Sequence, residues 1–411
     1  MIEHIAAGYL GLLLLALVAA VVTEKIWNIP YIIALVIIGA FVGLSGIGPS
    51  TTELGFSREL VFFVLLPPLL FFGGLHMQIE TLLRHLWPIF LFSVVGVVLS
   101  TAVIGSLLYF FSSIANVFVA LLLGAILSPT DPVSVLSLFK KIGVSEDLKH
   151  LVEGEALFND GTAVVLFMII LEHVQGYSNA GVIYTILSFL LVTGGGILLG
   201  LVLGYLTWLF LKNMDSPVIE TTACLTLALG SYWLGEYIHV SGVITTVTSG
   251  LLIGNYGKKL SMSTTTSQVA RSFFEVIDFL INSVLFVLLG LELQEISNAG
   301  MGLSGTMVIL IVVTGASMLV SRAAAVYPMY FALNLVGRRR PGEWAHILFW
   351  GGLRGSIPAA LLLGLPTDGP IAAYRTSLLI AGFSAIMFSL VVQGLTIKPL
   401  VELLKLGDQV K

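Results

Sequence analysis

The stretch Gly124–Leu136, GAILSPTDPVSVL, lies in an apolar run and interrupts it with two prolines. Pro129 and Pro132 each remove a backbone donor and push the residue before them, Ser128 and Asp131, away from helical geometry. A second run, Trp350–Gly364, WGGLRGSIPAALLLG, is weakened around Arg354 by Gly351, Gly352, Gly355 and Pro358. Unwound backbone at membrane depth is tolerated only where it is buried in protein or lines a watery cavity. Two Gly/Pro-interrupted spans in corresponding places of two halves point to a binding site between them. The plain alternative is a pair of ordinary proline kinks, and against it each break carries an ionisable residue.

That both runs lie in a membrane follows from composition. Of 411 residues 57% are hydrophobic and 10% charged, where a soluble domain carries about 25% charged residues. The mean hydropathy is +1.03. The expected fold class is an all-α polytopic membrane protein. Runs of about 20 apolar residues predict about 13 transmembrane helices, at roughly 5–22, 29–45, 58–76, 86–111, 116–139, 150–172, 181–211, 218–236, 240–255, 273–292, 303–333, 345–364 and 374–403. The first run lacks a basic leader and a cleavage site, so it reads as a retained span. Cys224 is the lone cysteine and has a packing role.

The interrupted helices are the fifth and twelfth spans, seven apart. Residues 1–180 and 218–411 then form two six-helix halves of opposite orientation, inverted repeats joined by a linker helix in 181–217. Fifteen of the 19 Lys and Arg, among them Lys25, Arg84, Lys149, Lys212 and Arg338 to Arg340, fall on one side of this arrangement. Arg58 and Arg375 fall on the other, and Arg322 and Arg354 lie within spans. The positive side is cytoplasmic, which puts the N-terminus outside and the C-terminus inside.

The sixth span opens with EGEALFNDGTAVVLF, Glu153 to Phe167. Glu153 is interfacial. Glu155 and Asn159 share one helix face, and Asp160 points about 140° away from Glu155. An ionised Asp at mid-membrane costs on the order of 3 kcal/mol, so it pairs, takes a proton or binds a cation. A carboxylate in low dielectric favours its protonated form, whereas a small cation favours the ionised form. Proton and cation then compete for one group, and Asp160 is the first choice. Asp131 either caps the second half-helix of its span or faces the same cavity, beside the hydroxyl and freed carbonyl of Thr130. Arg354 cannot lose its proton and needs an acid, for which Glu155 is the natural partner. Arg322 reads as a snorkelling side chain.

Other features carry less. His76, His85, His150 and His346 lie near the cytoplasmic face, where solvated histidines are commoner than pH sensors. The glycines of TGGGILLGLVLGY, Thr193–Tyr205, read as close helix packing. No phosphate-binding loop, metal-ligand cluster or nucleophile–His pair is present, so ATP-driven pumping and enzyme activity have no support. Nor is there a basic nucleic-acid surface.

LLPPLLF, SPTDPVSVLSLFK, EGEALFNDGTAVVLF, SRAAAVYP and GGLRGSIPAALLL, in that order, resemble the monovalent cation:proton antiporter-1 family, specifically its prokaryotic NhaP-type sodium/proton antiporters. The resemblance covers nearly the full chain. It implies a homodimer in the cytoplasmic (plasma) membrane. Each protomer would have a core, ion-binding domain from helices 4–6 and 11–13 and a dimerisation domain from the rest, with the unwound helices 5 and 12 crossing near the midplane. It implies exchange of Na+ (or Li+) for H+ by alternating access, for pH and sodium homeostasis and with no cofactor. Asp160, Asp131 and Thr130 become the ion-binding residues, with Na+ at Asp160 and Asp131. Asn159 is the partner found in electroneutral members, implying 1:1 exchange, and Glu155–Arg354 is the structural ion pair. Two departures stand out. Phe72 replaces an acidic residue common after LPPLLF, and Ala156 replaces a serine one turn before Asp160. Both remove an oxygen, which keeps K+/H+ exchange open as an alternative; a cation channel fits a broken-helix repeat less well.

Overall fold

The computed structural model describes residues 2–25, 30–45, 54, 56–132, 135–136, 138–139, 144–176, 182–257, 264–298, 304–336 and 340–404. Among these, every regular element is a helix. In chain order they are α1 (Ile2–Lys25), α2 (Tyr31–Leu44), α3 (Arg58–His76), α4 (Ile79–Arg84), α5 (Leu86–Phe111), α6 (Val117–Leu127), α7 (Glu146–Val174) and α8 (Val182–Leu211). There follow α9 (Pro217–Tyr237), α10 (Gly242–Leu252), α11 (Thr264–Asn298), α12 (Gly305–Val336), α13 (Glu343–Trp350), α14 (Ser356–Leu363) and α15 (Ala372–Leu403). Each predicted span falls on a helix or a broken helix, and α4 is an extra short turn between the third and fourth. Eight of the helices are long and apolar enough to cross a bilayer on length and composition alone. Lys140, Lys141, Lys258, Lys259, Arg338, Arg339, Lys405 and Lys411 of the predicted positive face lie outside the described residues.

Local sequence explains the irregularities. In α3, Pro67 and Pro68 offer no N–H to the turn before them, and Val61–Leu65 widens into a π-helical turn. Asn116 starts α6 by accepting from the N–H groups of Phe118 and Val119, at 2.9 and 3.3 Å. The fifth span stops being helical at Leu127, just before the two prolines, and the twelfth is split into α13 and α14.

Two groups of helices pack mainly among themselves. In one, α2 lies along α11, and α10 packs on α3, α8 and α9. In the other, α5 packs on α6 and α12, α6 on α7, and α15 on α12 and α14. Contacts between the groups include α11 with α14 and α7 with α10. Large apolar side chains on α1, α5, α8 and α12 stay exposed, for example Leu14, Phe110, Leu198 and Val312. Such a surface is at home in lipid and not in water.

The α8–α10 contact depends on small residues. A Cβ on Gly200 would lie 2.5 Å from the Thr245 carbonyl oxygen and 2.7 Å from Thr248 Cβ. The glycine-rich stretch is therefore a packing seam, as its sequence indicates.

Candidate functional site

The two broken spans meet. Asp131 donates its backbone N–H to the Leu353 carbonyl at 2.7 Å, forming an isolated antiparallel bridge between the unwound segments. Backbone freed by Pro129, Pro132 and the glycines thus finds its partner in the opposite break. The crossing is tight: a Cβ on Gly355 would come within 2.2 Å of Asp131 Oδ2. Only glycine lets Asp131 lie against the start of α14 in this way.

The helix α7 brings the remaining groups to this crossing. Asn159, 1% exposed, donates from Nδ2 to Thr130 Oγ1 at 2.8 Å and so ties α7 to the break in the fifth span. Asp160, next along the chain, points instead into a cavity of about 920 Å³ that Asp131 also lines. The cavity runs to the end of the bundle where Arg271 and Glu275 are exposed, past His76, His150 and Glu153. Among the described residues no basic side chain pairs with Asp160, and the charged group that acts on it is Asp131. No three His, Cys, Asp or Glu side chains among the described residues converge closely enough to hold a metal ion by themselves. Phe72 and Ala156 form part of the cavity wall and offer no side-chain oxygen.

The expected contact between Glu155 and Arg354 is not the one the packing makes. Glu155, 2% exposed, forms its ion pair with Arg322 of α12. Arg322 also donates from Nε and Nη2 to the Leu348 carbonyl of α13, at 3.0 and 2.8 Å. This arginine is therefore buried and binds α7, α12 and α13 together, and does not snorkel. Its position follows from helix rotation, since α12 turns Arg322 inward onto α13. Arg354, 1% exposed, lies within electrostatic range of Glu155 and Arg322 but donates from Nη1 to the Gly352 carbonyl at 2.9 Å. Its backbone N–H is held by Ser389 Oγ at 2.9 Å.

Sequence reasoning passed over Asp278 and Asn282 of α11, which also line the cavity. The signal was available as two polar residues one turn apart inside FEVIDFLINSVLFVLLG. It also passed over Asn255, which accepts from the Ile79 N–H at 2.9 Å and donates to the Met77 carbonyl at 2.8 Å, fixing the turn from α3 into α4. The histidines have ordinary surroundings. His346 pairs with the Tyr327 hydroxyl at 3.0 Å, and His85 lies 3.4 Å from Asp147. Burial pushes the His85 pKa below its usual value, with Asp147 opposing.

A second cavity, about 610 Å³, lies toward the other end of α7, lined by Arg58, Glu59, Glu172, Glu292, Asp368 and Arg375 among others. The two cavities share no lining residue. From Asp160 to Met168, the first α7 residue of the second cavity, the helix rises about 12 Å. Buried Val164 and Phe167 fill that interval, with Phe167 stacked on Phe62 at 6.0 Å. Asp131 and Asp160 line the first cavity and not the second.

Comparison with known proteins places this geometry. The chain is 37% identical over 387 residues to the Na(+)/H(+) antiporter ApNhaP of Aphanothece halophytica, covering 93% of this chain and 71% of that protein. It is 37% identical over 357 residues to the Na(+)/H(+) antiporter NhaP of Pseudomonas aeruginosa, covering 85% and 82%. It is 36% identical over 407 residues to the Na(+)/H(+) antiporter NhaH of Halobacillus dabanensis, covering 96% and 97%. The fold matches that of the sodium proton antiporter MjNhaP1 from Methanocaldococcus jannaschii with a TM-score of 0.80 at 22% identity, over the full length of both chains. Residues 12–403 match the family model described as sodium/hydrogen exchanger, transmembrane, and the chain belongs to that family of membrane antiporters.

Proposed function

We propose that the protein exchanges Na+ (or Li+) for H+ across the plasma membrane, one for one, by alternating access. The observation that carries this reading is Asp160: a carboxylate at the crossing of two broken helices, open to one cavity, without a basic partner among the described residues. A proton or a bare cation can neutralise it, and each excludes the other. Asp131 and the Thr130 backbone contribute oxygens on the other side of the ion. Asn159 positions Thr130 and does not titrate, so one carboxylate changes state per cycle and the exchange is electroneutral. Arg322–Glu155, with Arg354 beside it, keeps α7, α12 and α13 as one body while the site changes side.

The inverted-repeat division is part of this proposal, with residues 1–180 and 218–411 as the halves and 181–217 as linker. So is the division into a core of α5, α6, α7, α12, α13, α14 and α15 and a scaffold of the rest, through which two protomers associate. The Lys and Arg distribution makes the open cavity cytoplasmic and the sealed vestibule external. Exchange of this kind serves pH and sodium homeostasis.

The test is a reconstituted system. In proteoliposomes holding an imposed pH gradient, added Na+ dissipates the gradient with the natural protein and fails to do so with Asp160→Asn. Full exchange by that variant would remove Asp160 from the mechanism. A K+/H+ antiporter of the same fold is the second reading, favoured by Phe72 and Ala156, which leave the cavity wall short of oxygen ligands. Comparing Na+, Li+ and K+ at one pH gradient separates the two.

A further inference from the structure

The reaction above uses Asp131 of the first break and Asp160 of α7, yet the same cavity is also lined by Asp278 of α11. Asp278 belongs to α11, a helix whose main neighbours are α2 and α9, whereas Asp131 and Asp160 belong to the body that contains α6 and α7. The wall that carries Asp278 is thus not the wall that carries the exchange site. Asn282, one turn further along α11, also lines the cavity beside Asp278. Residues four apart on a helix lie about 40° apart in rotation, so the acid and the amide form one polar patch on an otherwise apolar helix.

The neighbours of Asp278 distinguish it from the acids at the cavity mouth. Glu275, one turn earlier and exposed, has its charge met by Arg271 at 3.1 Å. Asp278 lies deeper, and the charge acting on it is that of Asp131. Two carboxylates facing each other across a cavity repel, and a cation between them removes the repulsion. Asp131 acts in turn on Asp160, so the three acids form a chain that leads from α11 to the exchange site. They do not converge into a metal-holding group. Asp278 therefore lies outside the pair, on the helix α11 that lines the same cavity.

We propose that Asp278, with Asn282, forms an outer cation station on the scaffold wall, which gathers Na+ from the open side and hands it to Asp131 and Asp160. The proposal rests on the exchange reading above and adds a site to it. It also accounts for the lost oxygens: Phe72 and Ala156 contribute none, and the α11 patch supplies the charge that the wall lacks there. Because Asp278 is on the other body, it faces the exchange site only while the cavity is open on this side. Its effect is consequently one-sided.

The experiment measures Na+/H+ exchange in oriented membrane vesicles, with Na+ added on the cavity side or on the opposite side. Asp278→Asn raises the KM for Na+ on the cavity side by about tenfold and leaves kcat and the opposite-side KM within about twofold. Asp278→Glu stays near the natural KM. Phe72→Glu in the Asp278→Asn background returns a carboxylate to the same cavity and recovers most of the affinity. Na+-dependent thermal stabilisation of each purified variant shows that it is folded and reports binding independently of turnover. An unchanged cavity-side KM, an equal rise on both sides, or a loss of kcat without a change in KM would each overturn the outer station. The Asp160→Asn arm keeps the two ideas separate: retained exchange there defeats the exchange reading, whatever Asp278 does.

Discussion

Glu155 and Asp160 are five residues apart on one helix and have opposite fates. Glu155 is sealed against Arg322 and 2% exposed, while Asp160 faces the cavity. A sealed carboxylate holds helices together, and in the exchange proposed above the open one changes its partner. Breaking a buried pair costs about 3–5 kcal/mol, because the group left behind keeps its charge without compensation. Glu155→Gln is therefore expected to lower the unfolding temperature of the purified protein substantially. By contrast, Asp160→Asn leaves it unchanged or raised, since that substitution removes a charge with no basic partner among the described residues. Equal melting of the two variants would show that the division of roles is mistaken. Asp131 and Asp160, which line the cavity, stood out as candidates in the sequence because charge in an apolar run needs a reason, while Asp278 and Asn282 of the same cavity did not. The partner of Glu155 was not legible, because pairing depends on how far α12 is rotated about its axis, and Arg322 and Arg354 are both buried at similar depth.

At the level of elements, the two breaks work because they complete each other. The Asp131–Leu353 bridge needs Pro129 and Pro132 to stop one helix and the Gly351–Gly355 segment to stop the other. The two breaks were readable, since proline and glycine act locally and their positions are fixed in the chain, whereas their crossing was implied only by the family resemblance. Helix lengths were less readable. α11 was predicted over 273–292 and extends to Thr264–Asn298, as its ends are amphipathic and lie beyond the apolar run that defines a span. The glycine seam of α8 is a further local signal and gives a sharp test. Gly200→Val would force side-chain atoms against the Thr245 carbonyl and Thr248, an overpacking that costs about 1–3 kcal/mol. Gly194 in the same stretch has no atom within 4 Å of a built Cβ. Gly194→Ala should accordingly melt with the natural protein, and Gly200→Val several degrees lower. A seam that serves only as flexible linker would treat both alike.

For the whole molecule, the decisive property is that one cavity reaches the site and the other stops about 12 Å short along α7. Something must hold the sealed end shut, and the structure offers an ion pair there. Arg375 of α15 lies 3.3 Å from Glu292 of α11, whose side chain is 3% exposed. In the two-body division proposed above, this pair joins core to scaffold at the end that opens in the alternate state. Its loss should shift the population toward that state. The double variant Glu292→Gln/Arg375→Gln removes both charges and leaves neither uncompensated. The reporter is Phe72→Cys on the wall of the open cavity, in a Cys224→Ala background, since Cys224 is the single native thiol and is buried. With the pair removed, labelling of that cysteine by a membrane-impermeant maleimide slows, by up to about fivefold if the pair contributes about 1 kcal/mol to the cavity-open state. Na+ on the cavity side partly restores the rate, because the ion binds the state in which the site is reachable from there. Labelling that is equally fast with and without the pair would mean that the Phe167 and Phe62 layer alone sets which end is open, and that Arg375 and Glu292 only line the vestibule.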